Sequence, residues 1–141
     1  MRTLFRLAIM RVHNAWLRCI WGYDVHPSTM ISFGAYLDRT YPQGVHIGAE
    51  SIVTRGAVIL SHDYSRHSRM DTVIGKRCMI GVNAIVLPGV RIGDEVVIGA
   101  GAIVTRDVES NSLAVGNPAR ILRHIRTQPY GRIVGSLPDA N

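Results

Sequence analysis

The sequence predicts an all-β solenoid, in which the chain winds through a stack of short parallel strands. Three observations indicate this fold class. Aliphatic residues recur at every sixth position, slim residues follow them at a fixed offset, and 14 glycines accompany only 6% aromatic residues. An α-helix repeats near 3.6 residues and a strand near two, so a sixfold period implies a short strand followed by a corner.

The aliphatic repeat has two interruptions. Its positions are Val25, Ile31, Leu37, Ile47, Val53, Ile59, Ile74, Ile80, Val86, Ile92, Ile98 and Val104. The steps after Leu37 and Ile59 are ten and fifteen residues instead of six, so we expect loops near residues 38–46 and 63–73. Twelve repeats predict four coils of three sides over residues 23–116, enough to bury a continuous aliphatic core.

Glycine and slim residues keep the same phase as the aliphatic repeat. Glycine follows the aliphatic residue at Gly75, Gly81, Gly93 and Gly99, and slim side chains lie four residues after it at Cys78, Ala84, Val90, Val96, Ala102 and Val108. We expect the glycines to supply positive φ angles at the corners and the slim residues to fit inside a narrow coil.

Residues 1–22 are predicted to form an amphipathic helical segment. Its apolar face comprises Phe5, Ile9, Val12, Trp16 and Ile20. Arg6, Arg11 and Arg18 interrupt every apolar run, so the segment is neither a signal peptide nor a membrane-spanning helix. Two interpretations stay open: the apolar face packs against the body or a second subunit, or the cationic helix makes weak contact with a membrane surface.

Residues 117–141 are predicted to form a C-terminal helix and a tail. Asn117 suits a helix N-cap and Pro118 the first helical position, so a short helix is expected to end near Arg126. From Thr127 onward, prolines and glycines indicate a tail without evident chemistry.

Composition limits the class of protein. The 141 residues carry 16 basic against 10 acidic side chains, a net charge of +6, and are 47% hydrophobic. This predicts one folded domain and excludes intrinsic disorder. Two cysteines are too few for a disulfide framework, so we expect reduced thiols and a cytoplasmic protein, peripheral at the inner membrane face if the helix binds lipid. Without a nucleic-acid motif or interleaved aromatics, no specific nucleic-acid partner is expected.

His62 is the candidate catalytic residue because it lies where the regular coil gives way to a polar loop, in the segment Ser61-His62-Asp63-Tyr64. An imidazole can accept a proton from a hydroxyl or amine that attacks a thioester. Asp63 is a candidate orienting partner, although capping of the loop turn explains it equally well. A histidine in a loop can also be merely structural or solvated.

A longer set of motifs extends this hypothesis. Besides Ser61–Tyr64 it comprises Ile74-Gly75, Met79–Gly81, Leu87–Val90, Ile92-Gly93, Val97–Ala102, Val104–Asp107 and Gly116–Arg120. Residues 24–124 thereby resemble the galactoside, maltose and colanic-acid O-acetyltransferase branch of the hexapeptide-repeat acyltransferases. The resemblance implies a left-handed parallel β-helix, a homotrimer, and direct transfer from acetyl-CoA to a saccharide or nucleotide-sugar hydroxyl, with His62 as general base. N-acetylation of an amino sugar is the alternative.

The same resemblance implies a set of coenzyme A contacts: Met79, Gly81, Val82, Gly99, Ala100, Thr105, Arg106, Asn117, Pro118, Arg120 and Arg123. Many sugar acetyltransferases of this branch have tryptophan where this chain has Met79. Arg120 and Arg123 are expected to meet phosphates or adenine, or else to form a solvated basic face.

A second resemblance, to serine acetyltransferase, is carried by Asp24-Val25-His26-Pro27, Leu37-Asp38 and Gly44–Gly48. Arg39 occupies the position of that family's catalytic histidine, which disfavours a serine acceptor. Asp24 and Asp38 stay candidate acceptor-side or orienting groups, and Asp38 with Arg39 could instead form a surface ion pair.

Two rival functions come from other classes. His62 aligns with the first metal ligand of the γ-class carbonic anhydrases, but Val82 and Leu87 stand where the other two histidines belong, so we expect no metal. A basic β-helix scaffold is the non-enzymatic alternative, against which affinity for coenzyme A would count.

Overall fold

A computed structural model describes residues 2–135, and most of them belong to short parallel strands. The strands of the repeat, with the hairpin inserted among them, are β1 (Asp24–Val25), β2 (Met30–Ile31), β3 (Tyr36–Leu37), β4 (Val45–Ile47), β5 (Ile52–Val53), β6 (Val58–Ile59), β7 (His62–Asp63), β8 (Ser68–Arg69), β9 (Thr72–Ile74), β10 (Met79–Ile80), β11 (Ile85–Val86), β12 (Arg91–Ile92), β13 (Val97–Ile98), β14 (Ile103–Val104) and β15 (Ser112–Val115).

Each coil contributes one strand to each of three parallel sheets. Sheet A has the order β1-β4-β9-β12, sheet B runs β2-β5-β10-β13-β15, and sheet C runs β3-β6-β11-β14. Twelve of these strands make the predicted four coils of three sides, and β15 adds a fifth strand to sheet B. A 3₁₀ turn at Pro42–Gly44 lies within the first interruption of the repeat, and the β7–β8 hairpin lies within the second.

The predicted aliphatic residues fill the inside of the coil. All twelve are buried, none with more than 5% of its surface exposed. The slim residues beside them are buried too, and Cys78, Ala84 and Ala102 are completely inaccessible. One aliphatic side chain from each side of every coil therefore stacks along a single core.

The glycines of the repeat have a different role from the one predicted. Positive φ angles occur instead at other corner residues, among them Glu50, Asn83 and Gly101. At Gly75 an added Cβ atom would lie 2.6 Å from the carbonyl oxygen of Gly93 in the next coil, and at Gly81 it would lie 2.5 Å from that of Ile98. Glycine is required there because neighbouring coils approach too closely for any side chain.

The N-terminal segment is helical, as predicted, but it packs on the coil through a different face. Helix α1 spans Arg2–Trp16 and continues into a π-helical turn at Leu17–Trp21. Met10, Asn14 and Leu17 are buried, and Leu17 joins the core. The predicted stripe of Phe5, Ile9, Val12, Trp16 and Ile20 is exposed. The interpretation that this stripe packs against the body of the same chain is therefore wrong. No described helix is long and apolar enough to cross a bilayer.

The predicted C-terminal helix is wrong. After a turn that contains Asn117 and Pro118, β16 (Arg120–His124) runs antiparallel to β15, pairing Val115 with Arg120. β15 is the last strand that the repeat contributes to sheet B, so the N–H and C=O groups on its outer edge need hydrogen-bond partners. A neighbouring strand can pair with these groups, whereas a helix has its backbone groups bonded internally. Strands β17 (Thr127–Gln128) and β18 (Arg132–Ile133) form a further hairpin, and residues 136–141 of the predicted tail lie outside the described residues.

Candidate active site

Asp38 and His62 meet at one corner of the coil. β3 and β6 are adjacent in sheet C and pair Leu37 with Ile59, and the Asp38 N–H donates to the Ile59 carbonyl at 2.9 Å. The residues that follow these two strands therefore lie side by side, although they are 24 positions apart in sequence. The first loop leaves the coil at Asp38 and the second at His62, so the corner carries both interruptions of the repeat.

The two side chains form a short hydrogen bond. His62 Nδ1 lies 2.6 Å from Asp38 Oδ2. The Asp38 side chain is fully buried, whereas 24% of the His62 side chain is exposed. Three backbone N–H groups, of Thr40, Ser61 and His62, donate to the same carboxylate at 2.9–3.0 Å. A buried carboxylate with this many donors is held in one orientation and holds the imidazole in turn.

The hydrogen bonds keep Asp38 ionised despite its burial. Burial alone raises the pKa of Asp38, but the N–H of Ser61, the His62 imidazole and the N–H of Thr40 lower it, and the net pKa is below the usual aspartate value. An ionised carboxylate only accepts hydrogen bonds, so His62 Nδ1 carries the proton. Nε2 is then the basic nitrogen, free of a proton in the neutral ring.

His62 lines a surface pocket of about 210 Å³. Thr40, Tyr64 and Arg69 are among its other walls. The β7–β8 hairpin positions this rim, because His62 pairs with Arg69 and Asp63 pairs with Ser68. A basic imidazole nitrogen, fixed from behind by a buried carboxylate and open toward a pocket, can remove a proton from a bound hydroxyl or amine.

Asp63 lies beside His62 in sequence but contacts other groups. Its Oδ1 accepts hydrogen bonds from the N–H of Ser65, the Ser65 hydroxyl and the N–H of Arg66. The Ser65 hydroxyl is the first cause of a lowered Asp63 pKa. The structure therefore places Asp63 in the cap of the hairpin turn, and the carboxylate on His62 is Asp38.

Asp24 lies on another face, in sheet A. His46 Nδ1 is 2.7 Å from Asp24 Oδ2, and both residues line a separate pocket of about 580 Å³. His46 Nε2 lies 3.7 Å from Asp71, which accepts a hydrogen bond from the Tyr41 hydroxyl. Arg39 forms no surface ion pair with the buried Asp38: its guanidinium lies over the rings of Trp21 and Tyr36.

Many candidate coenzyme A contacts lie along one edge of the coil, where sheet B turns into sheet C. We call the stacked turns at Val82, Ala100-Gly101 and Gly116–Pro118 the turn column. The N–H of Gly101 donates to the Val82 carbonyl at 2.8 Å, and the N–H of Ile103 donates to the Gly116 carbonyl at 3.0 Å. Val82, Ala100, Asn117 and Pro118 are exposed there, whereas Gly81 is buried and Gly99 half-buried.

The other candidate contacts are spread over neighbouring elements. Thr105 and Arg106 follow β14, at the same edge of sheet C as His62, and both are exposed. Arg120 and Arg123 lie on β16, and Arg123 Nη2 is buried with no hydrogen-bond partner among the described residues. Met79 lies on sheet B, where Gly131 packs so closely that a Cβ atom at residue 131 would overlap with it. The terminal segment therefore covers part of Met79.

The described residues contain no group of three or more histidine, cysteine, aspartate or glutamate side chains that could hold a metal ion. Cys78 is not a candidate nucleophile. Burial raises the pKa of its thiol to about 11, and the thiol donates to backbone carbonyls.

The ionised Asp38 should make the stability of the fold depend on pH in the acid range. Because its pKa is lowered in the folded protein, the stabilisation it provides is complete above the ordinary aspartate pKa of about 3.9 and is lost as pH falls through the lower folded value. Asp38→Asn should lower the free energy of unfolding by about 1–3 kcal/mol at neutral pH, because the buried donors lose a charged acceptor. The difference should shrink below about pH 4.

Urea unfolding of both proteins across this range measures the effect. The control is Asp107→Asn, which removes a carboxylate that accepts from the N–H of Arg91 on the surface. An Asp38→Asn difference that stays constant with pH would contradict an ionised Asp38.

Comparison with known proteins identifies the family. The family model "Hexapeptide repeat of succinyl-transferase" matches residues 71–106. A Schizosaccharomyces pombe protein provisionally named a serine acetyltransferase is 37% identical over 131 residues, which are 89% of this chain and 46% of that protein. The chain spans about half the length of the curated relatives it matches, or less.

Two solved structures share the fold. A maltose O-acetyltransferase from Clostridium difficile has a TM-score of 0.63 and 25% identity, covering 80% of this chain and 74% of the other. A hexapeptide-repeat acetyltransferase from Vibrio cholerae, complexed with acetyl coenzyme A, has a TM-score of 0.58 and 24% identity, covering 79% and 75%. These relatives imply that the coil is a left-handed parallel β-helix. The chain belongs to the hexapeptide-repeat acetyltransferase family.

Proposed function

We propose that the protein transfers an acetyl group from acetyl-CoA to a hydroxyl group of a sugar or nucleotide sugar. The observation that carries this proposal is the Asp38–His62 pair, in which a fully buried carboxylate lies 2.6 Å from the ring of a partly exposed histidine. The maltose O-acetyltransferase with the same fold favours a sugar acceptor.

The reaction is a direct transfer with His62 as general base. His62 Nε2 takes the proton of the acceptor hydroxyl while the oxygen forms a bond to the thioester carbonyl carbon. Backbone N–H groups near the pocket stabilise the oxyanion, and the carbon–sulfur bond then breaks. The proton on His62 passes to the departing thiolate, which restores the neutral ring. Asp38 stabilises the imidazolium in between and keeps the proton of the resting ring on Nδ1.

The donor lies along the turn column. Exposed turn backbone at Val82 and Ala100 suits an extended pantetheine arm, and Arg120 and Arg123 supply positive charge beyond it for phosphates. Among the described residues, the buried Nη2 of Arg123 has no hydrogen-bond partner, so a phosphate oxygen that reaches it would satisfy this donor. The structural relative complexed with acetyl coenzyme A supports the same donor.

A homotrimer completes the site in this proposal. Within one chain, His62 and the turn column lie at opposite edges of sheet C. His62 follows the end of β6, whereas Val82 in the turn column precedes the start of the parallel strand β11. A neighbouring subunit can bring its turn column to the His62 pocket, so that general base and donor come from different chains.

L-serine is the second candidate acceptor. The relative provisionally named a serine acetyltransferase, 37% identical over 89% of this chain, favours it. Arg39 stands where the serine acetyltransferase motif has histidine, and its guanidinium lies over aromatic rings. A serine reaction would therefore also depend on His62.

Calorimetric titration with acetyl-CoA is the first test. We expect saturable binding near one site per chain, and Ala100→Glu should weaken it at least about tenfold, because a carboxylate would face a polyanionic ligand. Ala8→Glu, an exposed position on α1, is the matched control and should bind normally. Absence of binding at millimolar acetyl-CoA would overturn the donor assignment and favour the scaffold.

An acceptor screen then tests the reaction itself. Release of free coenzyme A thiol is measured with maltose, a galactoside, glucosamine, a nucleotide sugar and L-serine. Turnover with a sugar hydroxyl supports the proposal. Turnover with L-serine alone would replace it with serine O-acetylation, and an amide as the only product from glucosamine would replace it with N-acetylation.

A further inference from the structure

Helix α1 presents an apolar surface away from the body of the protein. The buried residues Met10 and Asn14 face the coil. Val12 and Trp16 each follow one of them by two positions, which is about 200° around an α-helix and therefore on the opposite side. We call the outward surface formed by Leu4, Phe5, Ile9, Val12, Trp16 and Ile20 the outer face; Phe5, Val12 and Ile20 are 70%, 71% and 68% exposed.

The attachment of the helix to the coil is specific. The Asn14 side-chain amide donates to the carbonyl oxygens of Thr29 at 2.7 Å and His26 at 3.2 Å. Leu17 enters the core, and the His13 ring packs in a tilted arrangement against Phe33, with ring centroids 4.5 Å apart. These contacts fix the rotation of α1, so the outer face cannot turn inward without breaking them.

The charged side chains of the helical segment itself have one sign. Residues 1–21 contain four arginines and no aspartate or glutamate, which is four of the six net positive charges of the protein. Arg11 and Arg18 lie one residue after Met10 and Leu17, on one flank of the outer face, and Arg6 lies on the other flank. All three arginines are exposed.

We propose that the outer face of α1 binds the surface of an anionic lipid bilayer. An apolar helix face flanked by arginines is the arrangement that inserts into the headgroup boundary, with guanidinium groups at the level of lipid phosphates. A second copy of the chain is a poorer occupant, because two such faces would bring their arginines together without an acidic partner. The helix lies along the surface and does not cross it.

Vesicle binding of the whole 141-residue chain tests this proposal. Binding is measured by flotation with vesicles of phosphatidylcholine alone and of phosphatidylcholine with one quarter phosphatidylglycerol. We expect at least about tenfold stronger partitioning to the anionic vesicles, and a similar decrease at high salt. Phe5→Ser/Val12→Ser and Arg11→Gln/Arg18→Gln should each reduce binding about tenfold or more.

Two controls keep the outcome unambiguous. Val134→Ser removes an apolar side chain that is 53% exposed elsewhere and should leave vesicle binding unchanged. Circular dichroism establishes that the variants are folded, and sedimentation establishes their oligomeric state. Equal binding to both kinds of vesicle, or none, would overturn the proposal. So would Phe5→Ser/Val12→Ser changing the oligomeric state without affecting vesicle binding, because the outer face would then pack on another copy. None of these outcomes depends on acetyl-CoA binding.

Discussion

His62→Ala should lower kcat about a hundredfold or more while affinity for acetyl-CoA stays nearly unchanged, since general-base catalysis contributes on that order. The mutation removes the nitrogen that takes the acceptor proton. It changes no residue of the turn column, which binds the donor in this proposal. The effect is measured as coenzyme A thiol release with the best acceptor of the screen, and donor affinity is measured by calorimetry.

His26→Ala is the matched control for this experiment. His26 is exposed, lies in the first coil and bonds the Ser28 hydroxyl, so its removal should change kcat less than about twofold, as expected for a surface substitution. Full activity of His62→Ala would remove His62 from the mechanism. Loss of acetyl-CoA affinity together with kcat would instead indicate that His62 helps bind the donor.

The coil could be predicted from sequence because the repeat imposes one constraint at every coil. Ile31, Val53, Ile80 and Ile98 occupy equivalent positions in sheet B, so each confirms the phase of the others. Segments outside the repeat lack this redundancy. Asn117 and Pro118 match the start of a helix locally, but the open edge of β15 lies nearby only in three dimensions, and it binds residues 120–124 as a strand.

The outward stripe of α1 shows the same limit. Its spacing predicts a helix with an apolar face, yet Met10, Asn14 and Leu17 form a second face at spacings of four and three. Which of the two packs on the coil depends on the carbonyl groups of His26 and Thr29 that receive the Asn14 amide. No pattern within the helix contains that information.

The phase of the repeat contains enough information to identify the partner of His62. Leu37 and Ile59 have the same phase in the repeat, so Asp38 and the residues after Ile59 must share a corner. The likeness of Leu37-Asp38 to serine acetyltransferase made Asp38 a candidate acceptor-side or orienting group, and the neighbouring Arg39 offered an ion pair, but neither assigned Asp38 to His62. Sequence adjacency favoured Asp63, whose carboxylate is occupied by the N–H groups and hydroxyl of its own turn.

Asp38→Asn should lower kcat about a hundredfold or more with little change in acetyl-CoA affinity, as expected where a carboxylate sets the tautomer of a catalytic histidine. An asparagine at residue 38 has one acceptor oxygen and an amide that donates. If that amide donates to His62 Nδ1, the ring proton moves to Nε2. The nitrogen that faces the acceptor then already carries a proton and cannot take another from a hydroxyl.

Nitrogen-15 NMR of labelled histidine separates this positioning role from a merely structural one. The chemical shifts of Nδ1 and Nε2 show which nitrogen is protonated, and we expect the proton on Nδ1 in the native protein and on Nε2 in Asp38→Asn. Circular dichroism and donor binding establish that the variant is folded. A folded Asp38→Asn with unchanged turnover would contradict the role of Asp38, and so would reduced turnover with the proton still on Nδ1. A fall in kcat together with the tautomer change would trace catalysis to the short hydrogen bond between Asp38 and His62.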